Sequence, residues 1–176
     1  MVIKKITQIG NPIIRKKSKV VKSIASSNIK RIVKNLADSM RHYDLVGMAA
    51  PQIGKNLRIF VTEIRNRASR KKIKKEELDG LRIFINPKLK QFSERQVIGY
   101  EGCGSVARGD IFGKVKRAYG VSVEALDKKG DKFSLRATKL LARVIQHEFD
   151  HLEGIVFLDR VSDTKSLMSK EEYLKL

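Results

Sequence analysis

Apolar residues recur at helical spacing in two stretches of the chain. Ile29, Ile32, Val33, Leu36 and Met40 form one stripe, with lysine and arginine between them, and predict a helix from Ser27 or Asn28 to about Tyr43. Leu141, Val144, Ile145 and Leu152 form the other, predicting a helix from about Thr138 to Leu152 with Thr138 as N-cap and Gly154 as the stop. Strands are expected at Leu57 to Val61, Leu81 to Ile85, Gln96 to Tyr100, Val115 to Leu126 and Lys132 to Leu135, the last two flanking the hairpin signal Lys128-Lys129-Gly130-Asp131. A short strand at Ile155 to Leu158 and a terminal helix at Lys170 to Leu176 complete the pattern. Residues 1–25 read as an extended basic lead-in with a turn at Gly10-Asn11-Pro12. The expected fold is α+β, a single domain over residues 1–176, with antiparallel or mixed sheets packed around a central helix and preceded by an N-terminal helix.

The later helix carries the chemistry. His147 and His151, two of the three histidines, are four residues apart, so both project from one helix face and can grip one metal ion. Glu148 points to an adjacent part of that surface, where it can work as an acid/base beside the ion without ligating it, as a metal-dependent hydrolase requires. A buried helix with two incidental histidines would satisfy the same five residues, so the third ligand decides. A metzincin would place a histidine six positions past the second, but Phe157 stands there and excludes that class. Glu171 and Glu172, twenty and twenty-one positions past His151, keep a glutamate-ligated peptidase open, and Cys103, the only cysteine, is the other candidate.

Cys103 lies in Tyr100-Glu101-Gly102-Cys103-Gly104-Ser105-Val106, and its flanking glycines let the backbone approach a metal or substrate. A lone cysteine is also a common small buried hydrophobe. Leu45-Val46-Gly47-Met48-Ala49-Ala50-Pro51-Gln52-Ile53-Gly54 is uncharged in a chain that is 32% charged, and Gln52 is its only polar side chain. It suits either a backbone lining a narrow site or a buried turn.

Taken together, Gly47 to Gln52, Glu101 to Ser105 and His147 to His151 resemble, in order, spacing and content, the three motifs of peptide deformylases. Asn11-Pro12-Ile13-Ile14-Arg15 resembles the N-terminal segment of that family, and Gly154 to Val161 the strand after its metal helix. The resemblance implies that Cys103, His147 and His151 ligate the metal, that Glu148 is the general acid/base, and that Gln52 and the Gly104 amide are oxyanion donors. It further implies that Val46 and Gly47 pair with the substrate backbone, while Leu140 and Val144 line the pocket for its first side chain. The implied ion is iron(II), with zinc, nickel or cobalt as other ions the set would hold, and the implied reaction releases formate from N-formylmethionyl nascent peptides. Four positions depart from the commonest pattern: Leu45 replaces a glycine, Gly104 a leucine and Ala107 a proline, and Arg143 stands where the helix is often apolar. The ligands and Glu148 are untouched, so the departures bear on the rigidity of the oxyanion donor and the width of the pocket.

Composition narrows the setting. A chain of 176 residues with 41% hydrophobic content has the size for one core. One cysteine excludes an intrachain disulfide and suits a reducing cytoplasm. The N-terminus has no signal-peptide apolar region and no stretch approaches the roughly 20 apolar residues of a membrane span, so the expectation is a soluble cytoplasmic protein with neither membrane nor DNA as partner. A net charge of +19, from 38 basic and 19 acidic side chains, favours polyanions and makes the ribosome and its RNA the expected partner; a lysine-rich proteome bias accounts for the same number. Arg65 to Lys75, with seven basic residues, reads as a solvated, mobile loop and the best local RNA contact. Two rival functions remain. A gluzincin-type endopeptidase would use Glu171 as third ligand but leaves Cys103 and Gln52 idle, and a ribosome-binding family member with weak deformylase activity leaves Glu148 unexplained.

Overall fold

The computed structural model describes residues 2–66 and 73–176. The first apolar stripe forms α1 (Ser27–His42), started by the Ser26 hydroxyl, which accepts from the Ile29 N–H at 3.3 Å. The chain continues through β1 (Gly47–Ala49), β2 (Ile59–Ile64), β3 (Asp79–Phe92), β4 (Gln96–Gly102), β5 (Ile111–Ala118), β6 (Gly120–Leu126) and β7 (Lys132–Thr138). Then come α2 (Lys139–Leu152), β8 (Met168–Ser169) and the single turn α3 (Lys170–Tyr173). Five strands form one antiparallel sheet in the order β1-β2-β3-β6-β7, and β4-β5-β8 form a second.

Packing follows from side-chain alternation along the strands. Ile59 and Val61 of β2 face α1 and meet Ile32, Leu36 and Met40, whereas Phe60 between them faces α2 and stacks on Phe84 at 4.5 Å. The five-stranded sheet is thus covered on both faces, which is why β2 opens with three consecutive buried apolar residues, Ile59, Phe60 and Val61. A third cluster, with Val115 of β5, Cys103, Ile14 and Phe157, occupies the side of the small sheet. The α+β class, with antiparallel sheets around a central helix, is as the sequence implies.

Several boundaries differ from the sequence expectation. The stretch Val115 to Leu126 is two strands, because the chain changes sheets at Tyr119, whose N–H donates to Arg95 O at 2.8 Å and whose carbonyl accepts from Lys139 N–H at 2.9 Å. Thr138 precedes α2, but its side chain makes no capping bond: it still pairs with Gly120 as the last residue of β7, and Lys139 turns the chain with φ +54°. Residues Ile155 to Leu158 form no strand; Phe157–Arg160 is a 3₁₀ turn, held by the Val156 N–H on the Asp159 carboxylate at 2.9 Å. The terminal helix ends at Tyr173, and Leu57 makes only an isolated bridge to Lys19 before β2 begins. Gly154 does stop α2, at φ +77°, where a Cβ would stand 2.7 Å from the Arg15 carbonyl carbon. Most of the basic loop, residues 67–72, lies outside the described residues.

Candidate metal centre and cleft

Helical spacing puts His147 and His151 on one face of α2, their rings 5.0 Å apart and nearly perpendicular. The second sheet brings Cys103, just past the end of β4, to the same place, with its Sγ 3.2 Å from His151 Nε2. One donor atom from each of the three lies within 4.8 Å of the others. Glu171 and Glu172 lie elsewhere: both point outward from α3 toward Lys175, at 3.8 and 2.6 Å, with their side chains mostly exposed. Among the described residues, Cys103 and not a glutamate is therefore the third donor beside the two histidines. Phe157, at the position a metzincin would give to histidine, is a buried ring 6.5 Å from that of His147.

The charges of the site hold one another. Burial alone would raise the Cys103 thiol, but the His151 and His147 imidazoles outweigh it and hold the thiol well below its ordinary range. Burial likewise opposes charge on His147, and Cys103 and Glu101 overcome it and raise the ring well above its usual value. Glu101 Oε2 meets His147 Nδ1 at 2.9 Å, which leaves Nε2 to face the donor cluster. Glu101 is held in turn by Arg117, at 3.0 Å to each oxygen, and by Arg143 at 2.8 Å; Arg117 also reaches Asp150 on α2. Sequence reasoning missed this support. Arg143 registered only as a departure from pattern, and the structure gives it a place, donating also to the carbonyls of Val97 and Val115 at 2.7 and 3.0 Å.

Glu148 is 3% exposed, and its Oε2 has no hydrogen-bond partner among the described residues. Burial pushes its carboxyl up to about 7, opposed by the nearby imidazoles. It packs against Gly47, where any Cβ would run into the carboxylate, so glycine at 47 is a steric requirement. Gln52 is oriented by its own loop: Oε1 accepts from Ala49 N–H at 2.7 Å, turning Nε2 toward Cys103 Sγ at 3.6 Å and Ser105 Oγ at 3.4 Å. Gly104 is pinned through its carbonyl, which accepts from Gln8 Nε2 at 2.8 Å. A Cβ on Gly104 would lie 2.9 Å from Ile6 Cδ1 and 3.3 Å from Leu45 Cδ1, so two of the departures from the family pattern face each other.

These groups open onto a cavity of about 740 Å³, lined also by Val46, Leu140 and Val144, the expected pocket residues, and by Tyr173 to Leu176. β1 is the edge strand of its sheet among the described residues. Val46 O accepts from Glu63 N–H at 2.9 Å, and alternation turns the peptide groups of Gly47 to the open edge. A larger groove of about 950 Å³, bordered by Lys17, Arg58, Lys88 and Phe133, shares none of these residues. Donor chemistry, not volume, makes the smaller cavity the candidate site.

Three comparisons bear on the site. The family described as polypeptide deformylase matches residues 3–167. A peptide deformylase of Pseudothermotoga lettingae is 35% identical over 99% of this chain and 92% of its own length, and one of Dictyoglomus turgidum is 36% identical over 96% and 99%. The crystal structure of the Thermotoga maritima peptide deformylase superposes with a TM-score of 0.80 at 31% identity, covering 93% of this chain and all of that one. A Met-Ala-Ser-bound class I type b peptide deformylase of Acinetobacter baumannii gives 0.83 at 27% identity, covering 91% and 100%. With the Cys103, His147 and His151 donors, the buried Glu148 and nearly the whole chain accounted for, the chain belongs to the polypeptide deformylase family of metal-dependent hydrolases.

Proposed function

We propose that the chain removes the N-formyl group from N-formylmethionyl peptides, with Glu148 as acid/base, Gln52 and Gly104 as oxyanion donors, and Cys103, His147 and His151 as metal ligands. The observation that carries this reading is the convergence of the three donors within 4.8 Å beside a buried carboxylate that burial raises to about 7. The donors fit a borderline-soft divalent ion: a thiol held toward thiolate and two imidazoles, with Glu148 Oε2, unpartnered among the described residues, beside them as the acid/base. Iron(II) is the ion we assign, in keeping with the family; zinc, nickel or cobalt would satisfy the same set. When bound, the ion supplies a water that is nucleophilic near neutral pH.

The side chains account for the rest of the chemistry. Glu148 Oε2 takes the water proton and later delivers it to the leaving amine nitrogen, tasks for which a carboxyl near neutral pH is well matched. Gln52 Nε2, already turned toward Cys103 by Ala49 N–H, and the Gly104 N–H donate to the oxygen of the formyl group as it gains charge. An extended peptide aligns along the open edge of β1 at Val46 and Gly47, and its first side chain enters between Leu140 and Val144. The backbone of Gly47 against Glu148 narrows the site, which suits a formyl carbon that carries only hydrogen beside its nitrogen and oxygen. The peptide Met-Ala-Ser held by the Acinetobacter baumannii relative supports a peptide product of this kind. The test is formate release from formyl-Met-Ala-Ser by the iron(II)-loaded protein under anaerobic conditions. Release with one equivalent of free amine is expected, and no release would overturn the reading.

A further inference from the structure

The family match ends at residue 167, yet Tyr173, Leu174, Lys175 and Leu176 line the cavity that holds the metal donors. Backbone bonds fix them there. β8 pairs with β5 through Phe112↔Met168 and Ile111↔Ser169, and Lys170 N–H donates to Asp110 O at 2.9 Å. The Ser169 hydroxyl then caps α3 by accepting from Glu172 N–H at 3.2 Å, and Leu176 N–H closes back onto Tyr173 O at 3.3 Å. The Tyr173 ring stacks on Phe112 with centroids 4.1 Å apart and planes 8° apart, and lies 5.8 Å from Tyr100. Phe112 in turn abuts Gly102, where an added Cβ would be 2.7 Å from the ring; Gly102 adjoins Cys103. A continuous stack therefore runs from the residue beside a metal donor to this segment.

Lys175 lines the cavity with its ammonium paired to Glu172 at 2.6 Å, and beside it the segment offers the apolar side chains of Leu174 and Leu176. Leu174 and Leu176 are 49% and 69% exposed, although both border a concave site, whereas Glu171 and Glu172 are drawn away by Lys175. We propose that residues 173–176 form the outer wall of the substrate cleft and select peptides whose residues following formylmethionine carry apolar side chains. This rests on the deformylase reading and extends it from the formyl group to the downstream peptide. Tyr173 sets the position of the wall and the two leucines make the contact. A peptide running from the metal donors past Phe112 would cover both leucines and remove their surface from water.

The test compares kcat/KM for formyl-Met-Leu-Leu, formyl-Met-Ser-Ser and formyl-methioninamide in the wild type and in L174S/L176S. The wild type should prefer the Leu-Leu peptide over the Ser-Ser peptide by roughly tenfold, as expected for a few apolar groups entering a hydrophobic contact. In the double variant that ratio should fall toward unity through a rise in KM for the Leu-Leu peptide. The stack gives a second pair of variants: Tyr173→Phe should keep the preference and Tyr173→Ser should lose it, with thermal unfolding showing both folded. An unchanged ratio in L174S/L176S, or an equal loss on all three substrates, would overturn the wall. Failure of the wild type to release formate from formyl-methioninamide would instead remove the deformylase reading, so the two failures are told apart.

Discussion

Leu45 and Gly104 read separately as two weakened motifs, but in space they are neighbours. A side chain at 104 would begin 3.3 Å from Leu45 Cδ1 and 2.9 Å from Ile6 Cδ1, so the two departures from the family pattern share one space. Gly104→Leu should cost about 1–3 kcal/mol by overpacking. Leu45→Gly combined with it should restore most of that loss, a coupling that denaturant unfolding of the double-mutant cycle would measure. Absence of coupling would mean that the two departures are independent. The proposed metal and proton roles are tested at the same scale. Cys103→Ala should abolish stoichiometric metal binding in an equilibrium dialysis in which Glu171→Ala retains it, since Glu171 points away toward Lys175. Glu148→Gln keeps the shape and removes the proton acceptor, so formate release should fall by roughly 10²-fold or more with metal content intact. The two histidines were legible as a pair because they share a helix turn, whereas the glycine-bracketed Cys103 stood beside Glu171 and Glu172 as a candidate until the family resemblance singled it out. Glu101 was not legible as their support: its partners Arg117, Arg143 and His147 are 16 to 46 positions away and meet it only across β4, β5 and α2.

Elements were read most reliably where one face is buried and one wet, and least where the chain changes sheets. α1 shows its stripe because its other side is solvent, and its sequence bounds fall within a residue of the structure. The junction at Tyr119 carries no such mark, since that single residue is all that separates β5 from β6. Residues 155–158 look like a strand for a similar reason: Val156 and Phe157 are buried against the small sheet, and the Asp159 cap that bends the chain follows them. Inter-element ties of this kind set how α1 is fastened. Arg41 in its last turn makes a two-pronged bond to Glu63 of β2, at 2.8 and 2.7 Å, next to the Glu63 N–H that holds Val46 at the cleft. Arg41 above all, through those bonds, keeps the Glu63 carboxyl below its ordinary value of 4.5. A carboxyl lowered on folding stabilises the protein above its unfolded value and loses that contribution as pH falls through the lowered one. Glu63→Gln should therefore destabilise by about 1 kcal/mol or less at pH 7. The difference from wild type should shrink as pH falls below the ordinary carboxylate value, which urea titrations at pH 7 and pH 3 would check.

At the scale of the whole molecule the dominant number is the charge of +19, and none of the proposed chemistry at the metal donors requires it. No helix among the described residues is long and apolar enough to cross a membrane. If it serves docking to ribosomal RNA, affinity should fall steeply with salt, because each neutralised phosphate adds close to one unit to the slope of log affinity against log salt. Sequence density points to residues 65–75, but Arg65 is committed elsewhere. Its guanidinium donates to Leu45 O at 2.9 Å and lies 3.6 Å from both Asp44 and Glu63, so it braces the mouth of the cleft. Lys74 and Lys75 are exposed, while residues 67–72 lie outside the described part of the chain. The informative variant therefore spares Arg65 and replaces Arg70, Lys71, Lys72, Lys74 and Lys75 with Ser. Removing five charges should lower the salt slope for ribosome binding by several units while formate release from formyl-Met-Ala-Ser persists, since the donors that carry the proposed chemistry are Cys103, His147 and His151. An unchanged slope would assign the charge to a lysine-rich proteome, and loss of peptide turnover would place the loop in the cleft beside Ile73, which already borders it.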